Sequence, residues 1–159
     1  MLTFAIHNAI LTMNHQLKKE GKFTFSDTGE GAPIIILHGL MGGLSNFDGV
    51  TNFFSEKGYR VLIPELPIYK MSLLKTNVKN FSKYVSDFID HLGFKEVILL
   101  GNSLGGHIGL YCTKSFPKKI KALETMGLTI NKRVPILSES NEHNKKYLST
   151  KAQKLGHLM

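Results

Sequence analysis

Glu96-Val97-Ile98-Leu99-Leu100-Gly101-Asn102-Ser103-Leu104-Gly105-Gly106 reads as a short apolar strand that stops on the pattern G-x-S-x-G-G, with a helix-compatible run from His107 to Lys114 behind it. A serine placed on so short a corner between strand and helix is held in a strained turn with its hydroxyl outward. Gly101 and Gly105 leave room where a Cβ would strike the neighbouring backbone. A helix beginning at Leu104 also points free N–H groups and its positive dipole end toward the serine, which suits a negatively charged oxygen. Ser103 is therefore the expected nucleophile. Taken alone, the pattern also fits an ordinary strand-to-helix turn, so its weight depends on the rest of the chain.

A second pattern stands upstream. Pro33-Ile34-Ile35-Ile36-Leu37 is a buried β-branched strand, and it ends in His38-Gly39-Leu40-Met41-Gly42-Gly43. Acyl transfer places negative charge on the former carbonyl oxygen, and two rigid backbone N–H donors aimed there lower the barrier, each worth about 2.7–4 kcal/mol in a measured case. One expected donor is Leu104, directly after the serine. The other is Leu40, with Met41 the next choice. The loop lacks the Lys-Ser/Thr ending of a P-loop and the spacing of a dinucleotide fingerprint, so a phosphate cradle is disfavoured. The two patterns together favour a hydrolase.

The 159 residues suffice for one domain with a sizeable core, and 42% hydrophobic with 20% charged residues is ordinary for a globular chain. The formal net charge of +8 is carried by lysines such as Lys18, Lys19, Lys22, Lys145 and Lys146 toward the two ends. No zinc spacing, RNP-like aromatic pattern or aromatic-interleaved basic helix accompanies it, so a solvated lysine surface is expected and no nucleic-acid partner. Cys112 is the only cysteine, which excludes an internal disulfide and fits a reducing, cytoplasmic compartment. Met1 to Thr12 is apolar but lacks a basic n-region and is too short to span a bilayer. Residues 1–12 are read as an extension, with Met13 as a second candidate start. No membrane, metal or cofactor is expected.

Along the chain, Phe23–Ser26, Ile34–Leu37, Arg60–Pro64, Val97–Leu100 and a segment from Lys119 to Leu123 read as strands. Ser45–Lys57 and Leu74–Leu92 read as helices. The second carries Val78, Phe81, Val85, Phe88, Ile89 and Leu92 at helical spacing, and Gly93 ends it. Strands alternating with helices predict βαβ units and a mostly parallel sheet covered on both faces. After Leu123 the pattern degrades: Glu124-Thr125-Met126-Gly127 stands where an apolar strand should continue. The expected organisation is an extension over 1–12, a core over 13–130 and an irregular polar tail over 131–159.

From about Gln16 to Leu123 the chain resembles the α/β-hydrolase fold family, in particular small bacterial serine hydrolases of the esterase type. The segments that carry the likeness are Ile34-Ile35-Ile36-Leu37-His38-Gly39-Leu40, Arg60-Val61-Leu62-Ile63-Pro64-Glu65-Leu66-Pro67 and Val97 through Gly106, in that order and spacing. The resemblance implies Ser103 as nucleophile, Leu40 and Leu104 as oxyanion donors, and hydrolysis of a small acyl ester or thioester through an acyl-enzyme. The family places a lid and two further strands after its sixth strand, with the triad acid and then the histidine on trailing loops. Those C-terminal strands are expected to be missing here, as in a truncated or frame-altered reading frame, which leaves the sixth strand as an open edge.

Only His107, His143 and His157 follow Ser103. His107 lies one helical turn along and is expected to point away from the attack path. His143 and His157 lack a strand-loop setting, and Glu124 and Glu139 are the acidic candidates. His38 is expected to brace its loop. Without a base a serine hydroxyl is a poor nucleophile, so two alternatives stand beside the serine hydrolase. One is a catalytically inactive remnant of the fold acting as a binding or interaction protein. The other is a haloperoxidase-like or carbon–carbon bond hydrolase built on the same motifs. Substrate identity and oligomeric state are not legible.

Overall fold

A computed structural model of the protein describes residues 17–40, 44–72 and 75–127. The chain divides after Leu128 into two units, 1–128 and 129–159, and all described residues belong to the first. Its strands are β1 (Leu17–Glu20), β2 (Phe23–Thr28), β3 (Ala32–Leu37), β4 (Tyr59–Pro64), β5 (Val97–Asn102) and β6 (Ile120–Met126). Its helices are α1 (Asp48–Glu56), α2 (Val78–His91) and α3 (Leu104–Ser115), with short 3-10 turns at Leu44–Phe47 and Pro117–Lys119. The chain belongs to the α/β class, and six strands form one mixed sheet in the order β1-β2-β4-β3-β5-β6.

β3 pairs in parallel with both β4 and β5, and β5 pairs in parallel with β6. The crossovers run through α1, α2 and α3, as the βαβ reading requires. β2 joins β4 antiparallel, and β1 folds back on β2 as a hairpin. This last strand was not expected, because Leu17-Lys18-Lys19-Glu20 has no apolar face and all four residues are exposed. Backbone pairing with β2 through the tight turn at Gly21 (φ 57°) creates it instead.

The central strands are apolar on both faces because each face packs on helices. Ile35, Leu37, Leu62 and Leu99 face α2 and α3, meeting Phe81, Val85, Phe88, Ile89, Ile108 and Cys112. The alternate residues Ile34, Ile36, Val61 and Ile63 meet Phe47 and the α1 side. In α2 the predicted stripe is the buried face, and the Phe88 ring lies 5.2 Å from Phe23 and 5.1 Å from Phe25. The helix starts later than the spacing predicts. Asn77 caps it, its side chain accepting a hydrogen bond from the Asn80 N–H at 2.9 Å. β6 runs through Met126, past the point where its apolar pattern fails. Parallel register with β5, ending at Asn102↔Met126, supplies the backbone bonds that side-chain burial does not.

One ion pair ties the antiparallel hairpin to the parallel core. The Arg60 guanidinium donates to both Asp27 carboxylate oxygens, at 2.9 and 2.8 Å, and Lys18 Nζ donates to Oδ2 at 2.7 Å. The Asp27 side chain is 5% exposed, and Arg60 foremost, then Lys18, holds its carboxyl below the usual range against the opposing effect of burial. A depressed folded pKa contributes stability above the unfolded value of about 3.9, and that contribution disappears as pH falls through the folded value. Asp27→Asn should therefore cost about 1.5–3 kcal/mol at pH 7. In urea unfolding the gap to wild type should narrow as the pH is lowered through the acid range; a gap of the same size at every pH would refute the assignment.

Candidate active site

The C-terminal ends of the parallel strands β3, β4, β5 and β6 lie at one end of the sheet, the end where open α/β sheets bind ligands. Ser103 stands there between β5 and α3, exposed, with φ 52° and ψ −114°. Among the described residues it is the only non-glycine with a positive φ. Such a conformation costs on the order of 1–3 kcal/mol and persists only where the surroundings over-determine it.

Two close approaches supply that constraint. A Cβ on Gly105 would lie 1.9 Å from the Leu37 carbonyl oxygen, and one on Gly101 would lie 2.6 Å from the Gly105 oxygen. The start of α3 is thus pressed against the ends of β3 and β5, and the corner has no wider path. The Ser103 N–H is tied to the Met126 carbonyl at 2.9 Å, which holds the corner from the β6 side as well. Leu104, the first residue of α3, has no carbonyl one turn back for its N–H to bond.

The β3 loop reaches the serine directly. A Cβ on Gly39 would lie 3.3 Å from Ser103 Cβ, closer than ordinary contact, and 3.7 Å from its Oγ, so the loop stands directly against the serine side chain. Leu40 follows and is exposed; Met41 lies outside the described residues. His38 fixes this loop. Its Nε2 accepts the Leu66 N–H at 3.0 Å, which leaves the proton on Nδ1, and Nδ1 donates to the Gly39 carbonyl at 2.8 Å. The Gly39–Leu40 peptide is planar, so fixing the Gly39 C=O also fixes the direction of the Leu40 N–H.

Neither His38 nor the other described histidines turns a free nitrogen to the Ser103 hydroxyl. His107 Nδ1 lies 3.2 Å from the backbone oxygen of Ser103, and His91 Nε2 lies 3.2 Å from Glu20 at the far side of α2. Glu124 sits in β6 in register with Leu100. His143, His157 and Glu139 lie outside the described residues. Burial pushes the Cys112 thiol up to about 12, so it is no competing nucleophile. Two open grooves, of about 270 and 470 Å³, flank α2, and Ser103 lines neither. Among the described residues no cluster of three His, Cys, Asp or Glu side chains is placed to hold a metal ion, and no helix is long and apolar enough to cross a membrane.

The family model of the alpha/beta hydrolase fold matches residues 32–156. The chain belongs to the alpha/beta hydrolase fold family. Among solved structures, it is similar to MGS-MChE2, an alpha/beta hydrolase enzyme from the metagenome of lagoon sediments at Mar Chica, Morocco. That match has 63% identity and a TM-score of 0.70 over 72% of this chain and 52% of that one. Epoxide hydrolase I of potato (Solanum tuberosum) aligns with a TM-score of 0.67 over 77% of this chain and 42% of its own, at 20% identity, a likeness of fold alone. A curated relative of another kind, the GTP cyclohydrolase-2 of Azotobacter vinelandii, is 41% identical over 71 residues, which are 45% of this chain and 28% of that protein. The chain thus spans about half the length of the hydrolase structures it matches and under a third of that relative.

The cramped corner gives a direct test. Gly105→Ala forces α3 away from β3 and should destabilise the fold by about 3 kcal/mol or more, lowering the melting temperature by roughly 10 °C. A melting temperature within about 2 °C of wild type would contradict the packing described.

Proposed function

We propose that the protein is a serine hydrolase acting on a small carboxylic ester or thioester through an acyl-enzyme on Ser103. The observation that carries this reading is the strained, exposed Ser103, with Gly39 so close that a Cβ there would lie 3.3 Å from the serine Cβ. In this reading Oγ attacks the acyl carbon, and the substrate carbonyl oxygen takes up negative charge between the Leu40 and Leu104 N–H groups. Collapse breaks the bond to the leaving alcohol or thiol, and water then releases the acid and restores the serine.

The strain at Ser103 supports the reading because it holds the hydroxyl outward before substrate arrives. The backbone donors need no reorganisation as charge develops, which is where such sites gain most of their effect. Membership of the hydrolase-fold family and the 63% identity to an alpha/beta hydrolase enzyme point the same way. The proton leaving Ser103 must reach a base, and none of the described histidines is turned to receive it. That observation favours a second reading, a non-catalytic binding protein on the same fold. The GTP cyclohydrolase-2 match takes in 28% of that protein, and we assign no cyclohydrolase activity from it.

Fluorophosphonate labelling separates the two. The serine hydrolase should label in wild type and lose the label in Ser103→Ala, and wild type should hydrolyse p-nitrophenyl acetate above the buffer rate. Equal labelling of both proteins would remove Ser103 from the mechanism, and no labelling with no turnover would leave the binding reading.

A further inference from the structure

The segment after β4 grips the loop beside Ser103 at a second point. Glu65 N–H donates to Thr24 O at 2.8 Å, and the Tyr84 hydroxyl donates to Glu65 O at 3.1 Å. Burial, helped by the charge of Glu65, pushes the Tyr84 hydroxyl up to about 12, so it keeps its proton for that bond. Leu66 and Ile68 are buried, and the N–H groups of Lys70 and Met71 both turn back to Pro67 O. This makes residues 65–71 a fixed platform anchored on β2, α2 and His38. From it Tyr69, 80% exposed, turns its hydroxyl back onto the protein and donates to Leu40 O at 2.9 Å.

Leu40 is therefore held on both sides. The peptide before it is set by His38 through Gly39 O, and its own carbonyl is set by Tyr69. We propose that Tyr69 is a positioning residue, locking the Leu40 backbone so that its N–H stays directed at the oxygen beside Ser103. The assignment of a reacting oxygen there rests on the serine hydrolase reading; the clamp on Leu40 does not. Of the contacts on Leu40 itself, the bond from Tyr69 is the one that holds its carbonyl. The bond is exposed to competing water, so its loss should be graded rather than total.

Tyr69→Phe keeps the ring and removes the hydroxyl. The backbone amide order parameter of Leu40 should fall from the rigid range near 0.85 toward about 0.6, while those of β5 and α2 stay unchanged. In an active enzyme kcat for p-nitrophenyl acetate should fall about two- to tenfold, the range one hydrogen bond supports, with KM unchanged, and Tyr69→Ala should do no worse than Tyr69→Phe. An unchanged Leu40 order parameter in Tyr69→Phe overturns the proposal. So does a normal Tyr69→Phe beside an impaired Tyr69→Ala, which would make the ring the working part. Should wild type neither label nor turn over, the serine reading falls, and the order-parameter measurement still decides the clamp.

Discussion

The contact on which the site depends is the one between the first turn of α3 and the end of β3, where only a hydrogen fits on Gly105 against the Leu37 carbonyl. Because that helix cannot retreat, the chain leaving β5 must reverse within a single residue. That residue is Ser103, and its left-handed backbone is the geometric result. The same closeness brings the loop after β3 against the serine. Strain at one residue and proximity of two segments are thus one packing decision, made by glycines at 39, 101 and 105.

The stability for this arrangement comes from elsewhere. Four buried central strands are sandwiched between α1 on one side and α2 with α3 on the other, and aromatic contacts of Phe23, Phe25 and Phe88 close one end. The antiparallel hairpin adds no core side chains through β1. It contributes through β2, whose Phe23 and Phe25 are buried and whose Asp27 is clamped by Arg60. A domain that holds one residue in a costly conformation needs this surplus.

Much of this was legible in the sequence because the signals were local. An unbroken apolar run marks a strand buried on both faces, the α2 stripe marks a helix, and G-x-S-x-G marks a corner whose glycines have a steric cause. β1 was not legible, since its existence depends on a partner strand rather than on its own side chains. The end of β6 was missed for the same reason: Glu124 to Met126 hold strand geometry through pairing with β5. At the site, His38 could be read as a brace because it adjoins the loop it holds. Tyr69 could not. Its partner is Leu40, 29 residues away, and no spacing rule connects an exposed tyrosine after a proline to that carbonyl.

Strand β3 has one further property. Ile34-Ile35-Ile36-Leu37 is greasy on both sides, so sliding it by a single position would swap one hydrophobe for another and cost little in burial. Alternation, the usual key to alignment, says nothing here. What tells the correct alignment from its neighbour is the pair of tight steric fits at the strand's exit, where a shifted chain would present the wrong residue to Ser103 and to the helix above. The end of the sheet that carries Ser103 thereby also sets the alignment of the central strand, and a substitution at that corner loosens this lock.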